Sequence, residues 1–274
     1  MDLDDRMKLY EKLETGRYLI PTLPILARLD GRAFHSFTSK MDRPFDFNFM
    51  ELMQDTTRWL VEESNALCGY TQSDEITLTW YSPDIESQVF FNGKIFKMTS
   101  ILASMASVYF NSKLPLYLDS SYLKYRPIFD CRVWNVPNLV EGTNSFVFRE
   151  VDATRNSLQM AGYAHFSHNQ LFKKNTGEIH EMLFKEKGIN WNDYPDSAKR
   201  GSYFQRRTEL KPYSPEELER LPEKHHAREN PDLLVERSVY KRLDMPPILK
   251  VENRVDVIYN GQDPILKTEE IIFQ

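Results

Sequence analysis

An apolar run that ends in an aspartate and a glycine constrains this chain more than any other feature. Residues 23–29, with one proline inside, read as a buried strand, and Asp30 and Gly31 follow directly. An aspartate at the C-terminal end of a strand is a common way to hold a catalytic metal ion. A glycine next to it lets a phosphate approach the backbone closely. The sequence therefore predicts a metal or phosphate site where this strand ends.

A second stretch, residues 69–80, predicts a β-hairpin with an acidic bend. β-branched and apolar residues alternate around Ser73, Asp74 and Glu75, as in two short strands joined by a polar turn. Aspartate and glycine are common turn residues, so Asp30 and Asp74 taken singly indicate no more than turns. Side by side, the two carboxylates would form the oxygen cradle that Mg²⁺ needs for phosphoryl or nucleotidyl transfer.

The functional hypothesis for the acidic residues is a two-metal site. In this hypothesis Asp30 and Asp74 bridge two Mg²⁺ ions, and the Gly31 carbonyl is a third oxygen ligand. Glu75 is either a further ligand or a group that orients one. Asp30, Asp74 and Glu75 are therefore the predicted catalytic residues.

The same hypothesis places a nucleoside triphosphate beside the metals. Its phosphates would lie against the Ser73 hydroxyl and against the backbone amides of Arg32, Ala33, Phe34 and His35. A triphosphate carries about four negative charges, so nearby cations such as Lys40 or Arg43 would offset the charge that the metals leave.

Length and composition indicate one large domain, or one domain with an appendage. Of the 274 residues, 41% are apolar and 13% aromatic, which is enough for a sizeable core. The 35 basic and 40 acidic side chains give a formal charge of −5, which argues mildly against a nucleic-acid partner unless the basic residues cluster. No run approaches the ~20 apolar residues of a membrane span, and the first residues show no signal peptide. We therefore expect a cytoplasmic protein without membrane contact.

The order of predicted elements indicates the fold class. Periodicity predicts a strand over residues 128–134 and helices over residues 2–16, 47–65, 98–109 and 141–168. Strand, helix, hairpin, helix, strand is the order of a split βαβ sheet. We predict an α+β fold with an antiparallel sheet like that of polymerase palms and nucleotide cyclases and with helices packed on one face. Residues 1–140 would form the catalytic core, and residues 141–274 a helical and basic extension that completes the domain.

The extension contains two candidate RNA-binding features. One is a polar face of the predicted fourth helix, formed by Asp152, Arg155, Asn156 and Gln159. The other is the stretch 172–211, where aromatic residues interleave with basic ones. Ordinary solvated surface is the simpler explanation of either feature alone.

The last part of the chain is less distinctive. Residues 213–232 are charged and bracketed by prolines, which predicts a solvated helix. Val251, Val255 and Val257, followed by an Asn260-Gly261 turn, predict a closing pair of strands.

The residues around the two aspartates resemble the motifs of a known family. Residues 28–35 (Arg-Leu-Asp-Gly-Arg-Ala-Phe-His) and 70–75 (Tyr-Thr-Gln-Ser-Asp-Glu) are similar to those of the tRNA-His guanylyltransferase superfamily, the reverse (3′-to-5′) polymerases. The resemblance continues in residues 129–133, 152–157 and 187–195, and the last two segments look like the bacterial and archaeal guanylyltransferase-like branch.

The resemblance implies an activity. A palm-like domain would bind two Mg²⁺ per active site through Asp30, the Gly31 carbonyl and Asp74. The 5′ end of a tRNA is activated, either by ATP-dependent adenylylation or as an existing triphosphate. The 3′-hydroxyl of an incoming nucleoside triphosphate then attacks that 5′ phosphate, and AMP or pyrophosphate leaves. ATP and GTP are the implied substrates, tRNA the implied partner, and a homotetramer the implied assembly.

Binding residues are also carried over to this chain. The implied triphosphate contacts are Ser73, the backbone of residues 32–35, Lys97 and Arg132, which join Arg43 from the charge argument. The polar helix face and the basic stretch supply the predicted RNA contacts, which are Arg155, Asn156, Lys187, Asn190, Lys199 and Arg200.

One departure from the family bears on the substrate. Eukaryotic enzymes that add guanosine to tRNA-His carry a His-Ile-Asn-Asn-Leu-Tyr-Asn segment, where residues 154–160 here read Thr-Arg-Asn-Ser-Leu-Gln-Met. Only an asparagine and the leucine correspond, which favours templated 5′ repair of truncated tRNAs. The alternatives are a guanylyltransferase specific for tRNA-His, a cyclase-type palm enzyme, and a catalytically silent RNA-binding module. A silent module would have no reason to keep both aspartates.

Overall fold

The computed structural model describes residues 1–230 and 232–268. Its strands are β1 (Ile25–Gly31), β2 (Cys68–Gln72), β3 (Glu75–Trp80), β4 (Phe129–Asn135), β5 (Ser202–Pro212) and β6 (Leu234–Leu243). Its α-helices are α1 (Leu3–Thr15), α2 (Phe34–Phe37), α3 (Phe47–Glu63), α4 (Ile95–Tyr117), α5 (Leu139–His165), α6 (His168–Leu171), α7 (Thr176–Lys187), α8 (Asp196–Arg200), α9 (Pro215–Arg220), α10 (His226–Glu229) and α11 (Arg254–Asn260).

The six strands form one antiparallel sheet in the order β4-β1-β3-β2-β5-β6. The register sets Asp30 of β1 opposite Glu75 on one side and opposite Asp130 on the other. Directly paired residues of antiparallel strands point to the same face of the sheet. Three acidic side chains therefore come together on one face, at the end of the sheet where β1 finishes.

Helices cover both faces of this sheet. Ile25, Ala27 and Leu29 of β1 point into a core formed with α3 and α4. The alternate residue Leu26 points into a second core, which includes Phe146 of α5 and Val257 of α11. The predicted α+β fold is thus confirmed, with α3 and α4 packed on one face. The C-terminal part of the chain adds α5 and α11 on the other face and two strands at the β2 edge.

An aromatic cluster fixes the loop that follows β1. The ring of Phe34 lies 5.1 Å from that of Phe129 and 5.7 Å from that of Phe110, centre to centre. Phe37 and Phe49 complete the cluster. Because Phe34 is only three residues beyond Gly31, this packing holds the end of β1 in place.

Most predicted elements occur where the periodicity placed them. The four predicted helices correspond to α1, α3, α4 and α5, the hairpin to β2 and β3, and the strand predicted over residues 128–134 to β4. The apolar stripe of α1 is exposed, with Leu3 and Leu13 at 64% and 69%. Within residues 1–230 and 232–268, no helix has the length and apolar character required to cross a membrane.

The predicted closing strand pair is wrong. Residues 254–260 form helix α11, and Gly261, with a φ of 70°, ends that helix instead of forming a hairpin turn. Val257 and Ile258 are fully buried, so tertiary packing overrides the β preference of a valine-rich segment. Val251 makes only an isolated bridge to Leu266.

Two segments that precede α11 in the sequence also differ from the prediction. The basic stretch 172–211 contains α7, α8 and β5 instead of one continuous surface. The predicted helix over 213–232 is two short helices, α9 and α10, and residue 231 lies outside the described residues. Strands β5 and β6 had no clear alternation in the sequence, because both carry charged residues on much of their length.

Candidate active site

A backbone hydrogen bond joins the end of β1 to the β2–β3 turn. The Gly31 amide donates to the Asp74 carbonyl oxygen at 3.1 Å. The turn itself is tight, because Gln72 and Glu75 pair directly across it and Ser73 has a φ of 54°. The structure therefore brings together Asp30, Gly31 and Asp74, as the sequence predicted.

Two arginines neutralise the third acidic residue, Glu75. Arg28 donates from Nη2 to Asp30 Oδ2 at 2.7 Å and also to Glu75 Oε1. Arg149 of α5 donates to Glu75 Oε2 at 3.2 Å. The Glu75 carboxylate is thus held between two guanidinium groups, which suits an orienting role and leaves it little freedom to bind a metal. Sequence reasoning missed Arg149, although it lies one turn before Asp152 on the polar face of the same helix.

The remaining carboxylates fit a divalent cation. Burial raises the pKa of the Asp74 carboxyl, and the charge of Asp30 raises it further. Two carboxylates and the Gly31 carbonyl are the hard oxygen donors that Mg²⁺ prefers. In the described part of the chain no group of three or more His, Cys, Asp or Glu side chains is arranged to hold a metal. A cation here would therefore complete its shell with backbone, water or substrate oxygens, as Mg²⁺ usually does.

Two clefts meet at the hairpin tip. The acidic cleft, of about 140 Å³, lies between Asp74 and Glu75 on one side and Asp152 and Asn156 of α5 on the other. A second, more apolar cleft of about 80 Å³ is lined by the loop before α3. We call it the loop pocket; it is bounded by Met41, Arg43, Phe45, Asp46, Phe49 and Met160. Ser73 and Gln72 line both clefts, which therefore adjoin at the β2–β3 turn.

The backbone predicted to hold phosphates turns sharply after the end of β1. Ala33 has a φ of 58°, a strained conformation for a residue with a side chain, and it precedes α2. The first amides of a helix have no acceptor within it, which leaves those of Ala33, Phe34 and His35 suited to a phosphate. The amide of Arg32 instead donates to the Ile128 carbonyl at 2.9 Å.

The two predicted phosphate-binding cations separate in the structure. Arg132 lies opposite Arg28 in the register of β4 and β1, on the face that carries Asp30. Lys97 lies in the first turn of α4, in a cleft with Phe91 and Asn65. That cleft is at the opposite end of the sheet from Asp30, so the structure does not bring Lys97 to the carboxylates. Sequence reasoning passed over Asp130, which strand alternation places beside Asp30.

The predicted basic RNA surface is wrong at its centre. Lys199 is buried, and its ammonium group donates to the Asn192 carbonyl at 2.7 Å and lies 3.2 Å from Asp196. The Arg200 side chain is 15% exposed and pairs with Asp196 at 2.8 Å. Both cations hold the α8 region together, because a buried charge needs a fixed partner. Net charge along the sequence gave no sign of this burial.

The other predicted RNA contacts differ in accessibility. Asn190 is engaged with the Asn192 amide at 3.1 Å and with Asp193 at 3.2 Å, so it serves the local fold. Lys187 is exposed at the end of α7. Arg155 is exposed and pairs with Asp152, and Asn156 lines the acidic cleft. These last three residues remain available to a ligand.

A buried glutamate anchors α5 to the sheet. Glu150 is 4% exposed, and its carboxylate accepts hydrogen bonds from the Tyr203 hydroxyl at 2.7 Å and the Ile248 amide at 2.8 Å. Burial raises the pKa of Glu150. Because Arg149 directly precedes Glu150, this anchor also sets the position of the arginine that holds Glu75.

The sequence has relatives of known activity. A family model described as tRNAHis guanylyltransferase matches residues 4–137. The tRNA(His) guanylyltransferase of Schizosaccharomyces pombe is 29% identical over 211 residues, which cover 72% of this chain and 78% of that protein. The enzyme of Saccharomyces cerevisiae is 26% identical over 215 residues, covering 73% of this chain and 89% of that protein.

Solved structures of similarly named proteins also match this chain. A bacterial tRNA(His) guanylyltransferase-like protein in complex with ATP matches with a TM-score of 0.75 and 29% identity, covering 94% of this chain and 98% of that chain. Such a protein in complex with GTP matches with a TM-score of 0.67 and 27% identity, covering 90% and 94%.

Fold, site and relatives together define the class of protein: this chain is a nucleotidyltransferase with a palm-like catalytic sheet. A cyclase-type enzyme or a silent RNA-binding module is not what these relatives indicate. This chain resembles the tRNA(His) guanylyltransferase family, whose model matches residues 4–137.

Gly31→Ala tests the packing beneath the site. A Cβ at residue 31 would lie 2.4 Å from the Phe34 ring, so the first obstacle to a side chain is this ring and not a bound phosphate. We expect Gly31→Ala to lower the free energy of unfolding by about 1–3 kcal/mol in urea titrations. Combining it with Phe34→Leu should cost less than the sum of the single changes. Strictly additive costs would show that the clash lies elsewhere.

Glu150→Gln tests the buried anchor through the pH dependence of stability. Because the Glu150 pKa is raised, the folded state binds its proton more tightly than the unfolded chain does. Its contribution to stability is therefore fully present below the ordinary glutamate pKa and declines as pH rises through the raised one. The unfolding free energy of the wild type minus that of Glu150→Gln should fall as the pH rises above the ordinary glutamate pKa of about 4.3.

The matched control for this series is Glu51→Gln, which changes an exposed glutamate of α3. This variant removes a carboxylate that the fold does not bury, so it reports the effect of losing a glutamate charge at the surface. A Glu150→Gln difference that rises with pH, or that follows the control, would contradict the assigned burial effect.

Proposed function

We propose that this protein adds nucleotides to the 5′ end of tRNA in the 3′-to-5′ direction and repairs 5′-truncated tRNA using the opposite strand as template. The observation that carries the proposal is the junction of Asp30, Gly31 and Asp74, tied by the 3.1 Å hydrogen bond. Of these three residues, Asp74 lines the acidic cleft, and its neighbour Ser73 lines both clefts. The tRNA substrate is taken from the names of the relatives.

Asp30, Asp74 and the Gly31 carbonyl are the groups that would hold Mg²⁺, two ions per site. Bound Mg²⁺ supplies Lewis-acid stabilisation of the phosphate charge and activates the attacking 3′-hydroxyl. Arg28 and Arg149 hold Glu75 in one orientation, which keeps the turn and its neighbouring carboxylates in register.

The activating nucleotide, ATP or GTP, occupies the loop pocket in this proposal. Its base and sugar lie among the apolar residues near Arg43, which is exposed at the pocket rim. Its phosphates extend past the Ser73 hydroxyl to the amides of residues 33–35. Support comes from the shared wall of the two clefts and from the ATP and GTP complexes of the bacterial relatives.

The tRNA end reaches the acidic cleft along α5. Arg155, Asn156 and Lys187 are the predicted contacts that remain accessible. Arg132 lies on the same face as Asp30 and is 62% exposed, so it is placed to meet a phosphate. In this proposal residues 1–140 carry the chemistry and residues 141–274 contact tRNA. A homotetramer and a cytoplasmic location remain predictions.

The second candidate is guanosine addition specific to tRNA-His, which the names of the yeast relatives favour. The segment in which this chain departs from those enzymes, residues 154–160, lies at the site. Its Asn156 lines the acidic cleft and its Met160 lines the loop pocket. The segment differs at five of its seven positions, which favours a different mode of substrate selection, and we therefore rank templated repair first.

The discriminating experiment is a matrix of substrates. Two tRNAs that lack their first 5′ nucleotide, one of them tRNA-His, are prepared with each of the four opposing bases and incubated with each triphosphate and Mg²⁺. We expect incorporation of whichever nucleotide pairs with the opposing base, on both tRNAs, because a correct pair aligns the hydroxyl with the phosphate. Incorporation of G regardless of the opposing base, or only on tRNA-His, would contradict templated repair and support guanosine addition specific to tRNA-His.

Asp74→Asn and Asp30→Asn serve as the inactive controls for this matrix. Each should abolish addition while the protein stays folded, because removing one of two adjacent carboxylates relieves repulsion. Asp5→Asn, at an exposed position of α1, is the matched variant and should extend RNA like the wild type. More than a few per cent of residual addition in either site variant would contradict the metal assignment.

A further inference from the structure

A third cleft continues from the acidic cleft along α5, away from the loop pocket. It has a volume of about 260 Å³ and lies between the sheet and the first half of α5. Thr77 and Arg149 line both this cleft and the acidic one. Together with the loop pocket, the three clefts form one groove that follows the same face of α5 from Glu141 to Met160.

The third cleft differs from the other two in its aromatic walls. Trp134 of β4 and Phe148 of α5 line it, and the Phe148 side chain is 60% exposed. The guanidinium of Arg149 lies 5.0 Å from the centre of the Phe148 ring, and the same group bonds Glu75. An aromatic ring that is exposed to solvent and lies next to a guanidinium, at the edge of a catalytic centre, can stack with a nucleobase.

We propose that this cleft, formed by Trp134, Phe148 and Arg149, binds the base of the 5′-terminal nucleotide of the RNA by stacking. The proposal rests on the proposed function and deepens it, since it places the RNA end opposite the activating nucleotide. The reacting 5′ phosphate would then lie between the two, at Asp30 and Asp74.

The charges along the cleft favour an RNA end over an incoming triphosphate. Among the described residues that line it, Arg149 is the one basic residue and lies at the end next to the acidic cleft, whereas Glu141 lies towards the other end. Trp134 lies four residues along β4 from Asp130, which is about 13 Å of strand. A base in the cleft can therefore direct its single 5′ phosphate to the carboxylates. A triphosphate extending the other way would meet Glu141 and no cation.

The test is a thermodynamic cycle between the protein ring and the RNA base. Two acceptor-stem hairpins with a 5′ monophosphate are compared, one intact and one with an abasic 5′-terminal nucleotide. Stacking of one base predicts that the wild type binds the intact hairpin at least about 5-fold more tightly. Phe148→Ala should bind both hairpins equally. Phe148→Leu, which keeps an apolar group beneath Arg149, should also lose most of the difference.

The matched control is Phe96→Ala, which removes an exposed ring, 51% accessible, from the start of α4 at the other end of the sheet. It should keep the wild-type ratio. Equal binding of both hairpins by the wild type, or an unchanged ratio in Phe148→Ala, would overturn the base-stacking site while leaving the proposed function standing. If Phe148→Ala loses ATP binding but keeps the wild-type ratio of affinities for the two hairpins, the cleft binds a nucleotide. That result would also overturn the base-stacking site. Failure of the wild type to bind either hairpin would overturn the proposed function and this site together.

Discussion

The hydrogen bond from the Gly31 amide to the Asp74 carbonyl is the contact on which the rest of the site depends. It closes the gap between the end of β1 and the β2–β3 turn, and so places two carboxylates side by side. Such an arrangement costs stability unless the charges are compensated. Here Arg28 and Arg149 compensate Glu75, Arg28 also pairs with Asp30, and Asp74 is the carboxylate of the group without an arginine partner in the described residues.

Helix α5 is the second structural requirement, because it supplies one wall of every cleft at the site. Its inner face carries Arg149 and Asn156 past the acidic turn and Met160 to the loop pocket. Glu150 anchors the helix by accepting hydrogen bonds from the Tyr203 hydroxyl and the Ile248 amide. In the proposed reaction an activating nucleotide, an RNA end and an incoming nucleotide have to meet at one point. A long helix beside a sheet edge provides a groove of sufficient length for all three.

Part of the fold and of the candidate site could be predicted from the sequence, and there are physical reasons why the rest could not. The positions of Asp30 and Asp74 could be predicted because each follows a local pattern of apolar residues that ends in a turn. The role of Arg149 could not be predicted, since it depends on Glu75, a partner 74 residues away in sequence. Charge alone could not show that Lys199 is buried and paired. Helix α11 was predicted as strands because its valines obey β preference, while packing against α5 decides its conformation.

The most direct test of the central claim is to locate the metal. Mn²⁺ accepts the same oxygen ligands as Mg²⁺ and scatters X-rays anomalously, so crystals grown with Mn²⁺ and a nucleoside triphosphate report its position. The account predicts anomalous peaks within about 2.2 Å of the Asp30 and Asp74 carboxylates, one of them also bound by the Gly31 carbonyl. Peaks only at Asp130 and Glu75, or no peak at the β2–β3 turn, would contradict it.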